Sequence, residues 1–405
     1  MRGVRVGIVG GSIAGTTAAV LLNRAGFDVT VLERTHGLEE RGGGIAVPQQ
    51  VITDLLSREL VDDSFRGVEA PLRHWCTKDG EAELGRTLAV QPLNTVALHW
   101  GLLYDQLRVR LPESAYQRGQ EVLSVTTADA TATMQLAGGK SAAFDLVIAA
   151  DGYRSRLRRQ LFPDAEAHYG GYPAWRGTID ESALKDARPV GQSMQTVGTP
   201  RGHAPFYLVP GKRGEIAVGQ RRLNWLWYEG SGATDAVLER VDDDGQRSIR
   251  AVAPGELSGS QRAVLVDLAE RYLPPWHRDV VLSTLNPYVQ PLYDLRLSSY
   301  VSGSVCVVGD AASVARPHTG SGTRKALEDA YALADALAGA EDLASGLAGF
   351  DAIRRTAGTA LVDLGQELGD EQVVHAPAWD AMNQEEFADW FSGAAVSNAW
   401  YVGRR

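Results

Sequence analysis

Three carboxylates stand at, or one residue beyond, the ends of short apolar runs, where a strand would hold them at its end. They are Glu33, Asp151 and Asp310. Short apolar runs are typical of strands that are buried on both faces. A carboxylate at a strand end can accept hydrogen bonds from ribose hydroxyls. Where small residues and a helix start follow it, the same place can bind a polyol chain together with an anionic group. The residue types therefore favour a nucleotide-like ligand.

A glycine-rich loop precedes the first of these carboxylates. Residues 10–15 read Gly-Gly-Ser-Ile-Ala-Gly and lie between an apolar run and a stretch rich in Ala and Leu. Because glycine has no Cβ, such a loop lets the backbone approach a pyrophosphate while N–H groups at the helix start point at its charge. The usual pattern is G-x-G-x-x-G, and Ser12 stands at its middle glycine. A second strand pattern ends at Glu33, so residues 4–33 predict a β-α-β unit that binds a dinucleotide.

The bulk composition is that of a globular protein with two or three domain-sized units. The chain has 405 residues, of which 44% are hydrophobic and 22% charged. Its formal net charge of −10 argues against a nucleic acid partner. Cys76 and Cys306 have neither disulfide-framework nor metal-ligand spacing, so no metal site is predicted. No apolar run reaches the roughly 18 to 20 residues that span a bilayer. The N-terminus lacks a signal-peptide pattern, so we expect a cytoplasmic protein without a membrane partner.

The hydrophobic pattern changes twice along the chain. Residues 51–60 and 98–111 have helical spacing, and residues 71–94 between them are irregular or β-like. From about 172 to 285, aromatic and β-branched residues alternate, which predicts an antiparallel sheet in a second domain. A buried-strand pattern returns at Val305, and a long Ala-rich helix follows. The chain is therefore expected to leave the first domain and to come back to it.

Four features follow one another in order. They are the glycine-rich unit with its acid, an Asp-Gly-x-x-Ser-x-x-Arg stretch from Asp151, the β-rich domain, and Gly-Asp-Ala-Ala from Gly309. This combination resembles the group A flavoprotein monooxygenases, which have the para-hydroxybenzoate hydroxylase fold. The resemblance extends over residues 4–340. The segments 169–177 and 316–318 are most similar to those of dihydroxypyridine hydroxylases.

The resemblance implies an α/β fold with three parts. These are a discontinuous Rossmann-like FAD-binding domain, an inserted substrate domain with an antiparallel β-sheet, and a helical C-terminal part. The expected bounds are residues 1–171 and 286–340 for the FAD-binding domain and 172–285 for the substrate domain. Residues 341–405 form the C-terminal region.

The resemblance also implies which residues meet the cofactor. In the family, the residues that match Gly10, Gly15 and Glu33 bind the ADP part of FAD. The residue that matches Asp151 lies in a segment tied to both FAD and NAD(P)H, and the one that matches Asp310 contacts the ribityl chain. The complete set expected at the cofactor is Gly10, Ser12, Ile13, Ala14, Gly15, Glu33, Arg34, Gly44, Asp151, Gly309, Asp310, Ala311, Pro317, Gly320, Ser321 and Gly322.

Three residues are expected to act on the substrate. His318 lies in the loop that faces the flavin ring in the family, and it is expected to position or deprotonate a phenol-like substrate, because its ordinary pKa suits acid–base work near neutrality. The alternative is a loop histidine satisfied by backbone hydrogen bonds. Tyr207 could hydrogen-bond a substrate or belong to the core of the sheet. Pro317 restrains the loop, and its carbonyl could accept from a substrate hydroxyl.

The activity that the resemblance implies is a hydroxylation. NAD(P)H reduces FAD, O2 forms a flavin C4a-hydroperoxide, and one oxygen atom is transferred to a small electron-rich aromatic or heteroaromatic ring. Alternatives are epoxidation, Baeyer–Villiger oxidation, N-oxygenation, halogenation and a non-catalytic FAD-binding sensor. Halogenation is suggested by the pair Trp225 and Trp227, but alternating aromatics more often belong to the surface of a sheet.

Departures from the family pattern keep the sensor alternative open. Ser313, Arg324 and Trp100 stand where the family commonly has His, Asn and Arg. A homodimer is a further expectation that the sequence leaves open. Tryptophan is enriched at subunit interfaces, but it packs equally well in a chain's own core. The tryptophans concerned are Trp379, Trp390 and Trp400.

Overall fold

The computed structural model describes residues 3–37, 43–128, 130–241 and 247–394. Its strands are β1 Arg5–Val9, β2 Asp28–Glu33, β3 Gly44–Pro48, β4 Val68–Thr77, β5 Arg86–His99, β6 Tyr116–Arg118, β7 Val122–Ala128, β8 Thr131–Leu136, β9 Ser141–Phe144, β10 Leu146–Ala149, β11 His168–Asp180, β12 Ser193–Thr199, β13 Gly202–Val209, β14 Arg222–Glu229, β15 Glu239–Val241, β16 Arg247–Ile249, β17 Tyr288–Asp294, β18 Val301–Ser302 and β19 Val305–Val307. Its α-helices are α1 Ile13–Arg24, α2 Gln49–Ser57, α3 Trp100–Arg108, α4 Arg156–Leu161, α5 Gly232–Leu238, α6 Gly259–Tyr272, α7 Pro275–Ser283, α8 Gly322–Gly339, α9 Leu343–Gly369 and α10 Gln384–Gly393.

The first sheet has six strands in the order β18-β19-β10-β1-β2-β6. All neighbours are parallel except β18 and β19. The central strands are apolar because helices such as α1 and α8 cover them. β19 pairs with β10, so the predicted return of the chain to its first domain is confirmed. The α/β, Rossmann-like fold class is confirmed as well.

The second sheet has eight strands in the order β17-β11-β14-β13-β12-β4-β5-β3. It is antiparallel apart from the parallel pair β12 and β4. Three of its strands precede residue 172, so residues 44–99 contribute to the same sheet as the predicted substrate domain. The predicted bounds of the domains stay a prediction.

Two predicted helices are shorter than their sequence patterns. The spacing over 51–60 gives a helix at Gln49–Ser57, and that over 98–111 gives Trp100–Arg108. The second helix begins later because β5 continues to His99, whose backbone neighbour is Gly44 of β3. Residues 71–94, predicted as irregular or β-like, belong mostly to strands β4 and β5.

The two faces of the second sheet have different surroundings. Trp225 and Trp227 of β14 are fully buried against α6 and α7. The pair thus lies on a face of the sheet, as predicted, and those two helices cover that face. Leu226 and Tyr228 of the same strand point to the opposite face. That face looks towards the first sheet.

The C-terminal helices cover both sheets. Trp379 stacks on Trp75 of β4 with ring centroids 5.5 Å apart, and Trp390 meets Trp379 edge-on. These two tryptophans thus pack within their own chain, whereas Trp400 lies outside the described residues. Among the residues described, no helix combines the length and apolar composition that crossing a membrane requires.

Candidate active site

A cavity of about 440 Å³ lies between the two sheets. One side, here called the cofactor-side wall, is formed by the loops after β1, β10 and β19, by Val314, Ala315 and Pro317, and by residues 320–323. The other, here called the sheet-side wall, is formed by His318 and by side chains from β4, β11, β12, β13 and β14. Its volume is within the usual range for small-molecule sites.

The glycine-rich loop has the close approaches that were predicted for it. Gly10 has a φ of +96°, and a Cβ there would lie 2.5 Å from the carbonyl oxygen of Ala150. A Cβ on Gly15 would overlap the carbonyl oxygen of Gly10. These two glycines shape the loop, while Ser12, Ile13 and Ala14 line the cavity. That each of these five residues contacts the cofactor remains a prediction.

Two helix N-termini meet at the cofactor-side wall. Helix α1 begins after Ser12 and helix α8 begins after Ser321, and neither helix start receives a side-chain capping hydrogen bond. Uncapped helix N-termini carry backbone N–H donors and partial positive charge, which suit a pyrophosphate or another anionic group. Gly320 and Gly322 line the same part of the cavity, as does the exposed ring of Pro317.

Glu33 ties the glycine-rich loop to the end of β2. Its carboxylate accepts a hydrogen bond of 2.8 Å from the backbone N–H of Gly11, and two more from Thr35. It is half-buried and lies outside the cavity wall, and Arg34 beside it is exposed. A contact of either residue with the adenosine end of a dinucleotide stays a prediction.

Asp151 closes the turn that leads into α4. Its carboxylate accepts hydrogen bonds from Ser155 Oγ at 2.5 Å and from the backbone N–H of Arg156 at 2.9 Å. The neighbouring Gly152 lines the cavity, while Asp151 does not. The geometry therefore gives Asp151 a role in holding this turn in place. Its contact with the cofactor stays a prediction.

A buried ion network holds the loop after β19. Lys325 donates to the carbonyl oxygen of Gly309 at 2.6 Å, and Asp329 accepts from the Gly309 N–H at 2.9 Å. Lys325 and Arg354 both pair with Asp329, at 2.8 and 2.7 Å. Because α8 and α9 supply these side chains, the loop is fixed from behind.

Asp310 opens from this loop into the cavity. Its side chain is accessible from the cavity although protein surrounds it on its other sides. Burial raises the pKa of its carboxyl group, and the nearby Lys325 opposes that rise. Such a carboxylate suits the hydroxyls of a polyol chain. Ala311 is fully buried behind it and supports the turn.

His318 lies on the cavity wall within a group of aromatic rings. Its Nε2 is 2.6 Å from the hydroxyl of Tyr172, and its ring centroid is 4.1 Å from that of Tyr228 and 5.2 Å from that of His203. Burial lowers the pKa of His318 to about 3, with Arg316 and Arg73 acting in the same direction. Burial also lowers the pKa of His203 far below its ordinary value. Both imidazoles are therefore neutral at physiological pH.

Two arginines give the sheet-side wall its positive charge. Arg73 donates from Nε to Thr196 Oγ1 at 3.0 Å, and its guanidinium lies 4.0 Å above the ring of Trp75. Burial lowers the pKa of Arg73 to about 9, so it remains a cation at neutral pH. Arg176 donates to Gln290 at 3.1 Å, and its buried Nε has no hydrogen-bond partner among the described residues.

Tyr207 lines the cavity and also supports its edge. Its hydroxyl donates to the carbonyl oxygen of Gly44 at 3.3 Å, while Asn224 accepts from the Gly44 N–H at 3.2 Å. Burial raises the pKa of Tyr207 to about 12, so it is a neutral donor. The structure thus brings Tyr207 and Gly44 together at the junction of the two walls.

Sequence reasoning missed most of the sheet-side wall. Arg73, His203 and Tyr228 were not predicted as site residues, because they come from different strands whose pairing is not visible in local patterns. Arg176, which lines the cavity, and Tyr172, which contacts His318, could have been found, since both lie in the segment 169–177 that carried the resemblance.

The three departures from the family pattern lie in different places. Ser313 is buried and accepts a hydrogen bond of 2.9 Å from Tyr300. Arg324 pairs with Glu328 one turn along α8. Trp100 lines the cavity and stacks on Tyr104. Of these three residues, only Trp100 therefore faces the cavity in which the ligand is predicted to bind.

The residues present fit FAD. The close-approach glycines and the uncapped helix starts suit the pyrophosphate, and Asp310 suits the ribityl hydroxyls. The cavity continues from there to the sheet-side wall, so a flavin ring between the two walls would face a second ligand. These features are found in one continuous space.

Comparisons with known proteins agree with this fit. Three family models match parts of the chain. The model of an NAD(P)-binding Rossmann-like domain matches residues 8–46, that of an FAD binding domain-like family matches residues 169–294, and that of an FAD binding domain matches residues 290–364. The chain is 29% identical over 347 residues to 2,6-dihydroxypyridine 3-monooxygenase of Paenarthrobacter nicotinovorans, which covers 85% of each protein. It is 28% identical over 408 residues to salicylate hydroxylase of Pseudomonas putida, covering 94% of this chain and 89% of that one.

The structural comparison gives the same result. The solved structure of 2,6-dihydroxypyridine-3-hydroxylase from Arthrobacter nicotinovorans superposes with a TM-score of 0.81 and 27% identity. The match covers 92% of this chain and 94% of that chain. Over most of its length the chain is therefore similar to FAD-dependent aromatic monooxygenases, and it has the para-hydroxybenzoate hydroxylase fold.

Proposed function

We propose that the protein hydroxylates a small electron-rich aromatic or heteroaromatic ring that carries an acidic oxygen, using NAD(P)H and O2. The observation that carries this proposal is one continuous cavity. In it, the site whose residues fit FAD continues into the sheet-side wall, which has two arginine cations and two neutral histidines. Relatives named for 2,6-dihydroxypyridine and salicylate support a ring of this size and chemistry.

The charge of the sheet-side wall supports the acidic oxygen. Arg73 and Arg176 both reach the cavity, and a cation in a buried site attracts a phenolate, a deprotonated hydroxypyridine or a carboxylate. Ionisation of a ring hydroxyl also makes the ring more nucleophilic. The wall would thus bind the substrate in its more reactive form.

The apolar part of the same wall supports an aromatic ring. Met194, Pro205 and Leu226 line the cavity between the charged residues. They give a flat ring an apolar contact and keep water away from the reacting carbon. FAD, when bound and reduced by NAD(P)H, supplies the activation of O2. The chain's own residues bind the ring, orient it and exclude water.

The first test is a turnover assay. The purified protein is examined for a flavin spectrum, and oxidation of NADH and of NADPH is followed with and without 2,6-dihydroxypyridine, salicylate and neutral methoxybenzenes. Hydrogen peroxide is measured in parallel. The proposal expects an acidic ring to stimulate oxidation with little peroxide. Bound flavin with no stimulation by any ring would contradict the hydroxylase proposal and favour a sensor.

We also propose the residues that contact the substrate, the cellular location and the oligomeric state. His318, Tyr207 and Pro317 are the residues proposed to contact the substrate. The protein is proposed to act in the cytoplasm without nucleic acid or membrane partners. A homodimer is the oligomeric state proposed beside the monomer. Light scattering on the purified protein distinguishes a dimer from a monomer.

A further inference from the structure

A buried chain of polar contacts leads from the cavity to the end of β17. Asp294 pairs with Arg316, whose Nη2 lies 2.8 Å from Asp294 Oδ2. Arg316 Nη1 donates to the hydroxyl oxygen of Tyr172 at 3.4 Å. That hydroxyl lies 2.6 Å from Nε2 of His318. All four side chains are less than a tenth exposed, so water does not compete for these contacts.

The backbone around this chain is arranged to make room for it. The register of β11 against β17 shifts between Tyr169 and Pro173, which places Tyr172 in an irregular part of its strand. Such irregularities redirect a side chain and are frequent next to active sites. At the end of α9, a Cβ on Gly369 would overlap the Tyr172 hydroxyl and lie 2.5 Å from Arg316 Nη1. Only glycine lets the helix pass this close.

The direction of each hydrogen bond follows from the donors available. Arg316 can only donate, so it occupies a lone pair of the Tyr172 oxygen. Burial keeps Tyr172 protonated, because it raises the pKa of the phenol. The remaining hydroxyl proton has one acceptor among the described contacts, which is His318 Nε2. If Nε2 carried a proton instead, the tyrosine proton would be buried without a partner.

We propose that Asp294, Arg316 and Tyr172 are positioning residues that fix the tautomer of His318, with Nε2 as the acceptor from Tyr172 and the proton on Nδ1. His318 is then a hydrogen-bond donor at the cavity wall and not a general base. Its Nδ1 is buried and has no partner among the described residues. An oxygen atom on the ring substrate would accept a hydrogen bond from this Nδ1–H. This last step rests on the proposed function.

The tautomer can be measured without turnover. The holoenzyme is labelled with ¹⁵N-histidine, and the imidazole nitrogens are observed by NMR near neutral pH. Of the eight histidines in the chain, His318 is assigned as the signal lost in His318→Gln. We expect a protonated-type shift for Nδ1 and an unprotonated-type shift for Nε2. A proton on Nε2, or a charged ring, would overturn the proposal whatever the activity of the enzyme.

A pair of tyrosine variants tests whether the hydrogen bond from Tyr172 sets the tautomer of His318. In Tyr172→Phe the donor to Nε2 is lost, so a measurable fraction of the His318 proton should move from Nδ1 to Nε2. Tyr228→Phe is the matched control, because its ring also contacts His318 while no hydrogen bond joins them. An unchanged spectrum in Tyr172→Phe, or an equal change in both variants, would contradict the role of Tyr172. The wild-type measurement decides the tautomer if a variant does not fold.

Adding a substrate tests the last step separately. Binding of 2,6-dihydroxypyridine to the oxidised holoenzyme, in the absence of NAD(P)H, should shift the Nδ1 signal of His318 while Nε2 keeps its type. A shift at Nε2 and none at Nδ1 would overturn the donor role. If neither this ring nor salicylate binds, the proposed function fails for these substrates while the tautomer result stands.

Discussion

The cofactor-side wall of the cavity is built largely from backbone, whereas the sheet-side wall is built from side chains. On the first, glycines allow close approach and two helix N-termini present N–H groups. On the second, Arg73, His203 and Tyr228 reach the cavity from separate strands. A backbone site is suited to a phosphate group that is the same throughout the family, while a side-chain site can change its specificity by substitution.

The two walls also differ in how they are held. The loop that carries Asp310 is fixed by charges, since Lys325 and Arg354 pair with Asp329 behind it. The wall around His318 is held by neutral rings in contact, and at its back Arg316 pairs with Asp294 and Asp370. We therefore expect loss of charge to damage the first wall more than the second.

The largest effect is expected from Asp329→Asn. It leaves Lys325 and Arg354 buried without their common carboxylate, and breaking a buried ion pair costs about 3–5 kcal/mol. Thermal unfolding should therefore begin at a clearly lower temperature, with weaker retention of flavin. The control is Asp335→Asn in the same helix, because Asp335 pairs with Arg58 at the surface. Equal unfolding midpoints for the two variants would contradict the buried network.

Gly15→Ala should come next. The added Cβ would overlap the Gly10 carbonyl oxygen, so the loop must shift, and overpacking costs about 1–3 kcal/mol. We expect the ratio of flavin to protein after purification to fall about tenfold or more. Gly349→Ala is the control, since a Cβ at that helical position meets no atom within 4 Å. Full flavin content in Gly15→Ala would refute the backbone description of this wall.

Arg176→Met tests the charge of the sheet-side wall. A charge-assisted hydrogen bond contributes about 1.5–3 kcal/mol, so KM for an acidic ring should rise about tenfold or more. Flavin content should stay near the wild-type value. Arg222→Met, which removes an arginine paired with Asp180 outside the cavity, is the control. If KM changes equally in both variants, Arg176 does not bind the substrate.

The smallest effect concerns pH and His318. Because its folded-state pKa is lowered to about 3, the unfolded chain binds more protons at His318 below pH 6.5 than the folded chain does. Between pH 7 and pH 5.5 this costs the wild type about 1 kcal/mol of stability. The difference in thermal midpoint between wild type and His318→Gln should therefore narrow or reverse as pH falls. A difference that widens would contradict a buried neutral imidazole.

The cofactor-side wall could be predicted because its signals are local. Residues 10–15 stand between a strand and a helix in the sequence, and Gly309 and Asp310 follow one residue after the end of β19. The residue types that form these turns, and the strand patterns before them, therefore stand within a few positions of one another. Even here, the sequence did not reveal that Lys325, Asp329 and Arg354 hold the loop, because burial of charges on α8 and α9 follows from helix packing.

The sheet-side wall could not be predicted because its residues meet through distant pairing. Arg73 reaches the site because β4 pairs in parallel with β12, an arrangement that no local pattern indicates. His203 lies next to His318 although they are far apart in the chain. Tyr172 could be placed on a strand, but its contact with His318 depends on a shift of register and on the glycine at the end of α9.

The most direct test of the account is isotopic. The holoenzyme is supplied with NAD(P)H, ¹⁸O2 and an acidic ring that stimulates oxidation, and the product is examined by mass spectrometry and NMR. The account predicts one ¹⁸O atom bound to a ring carbon. An unlabelled product, a label on nitrogen or in an epoxide, or peroxide as the sole oxygen product would contradict it.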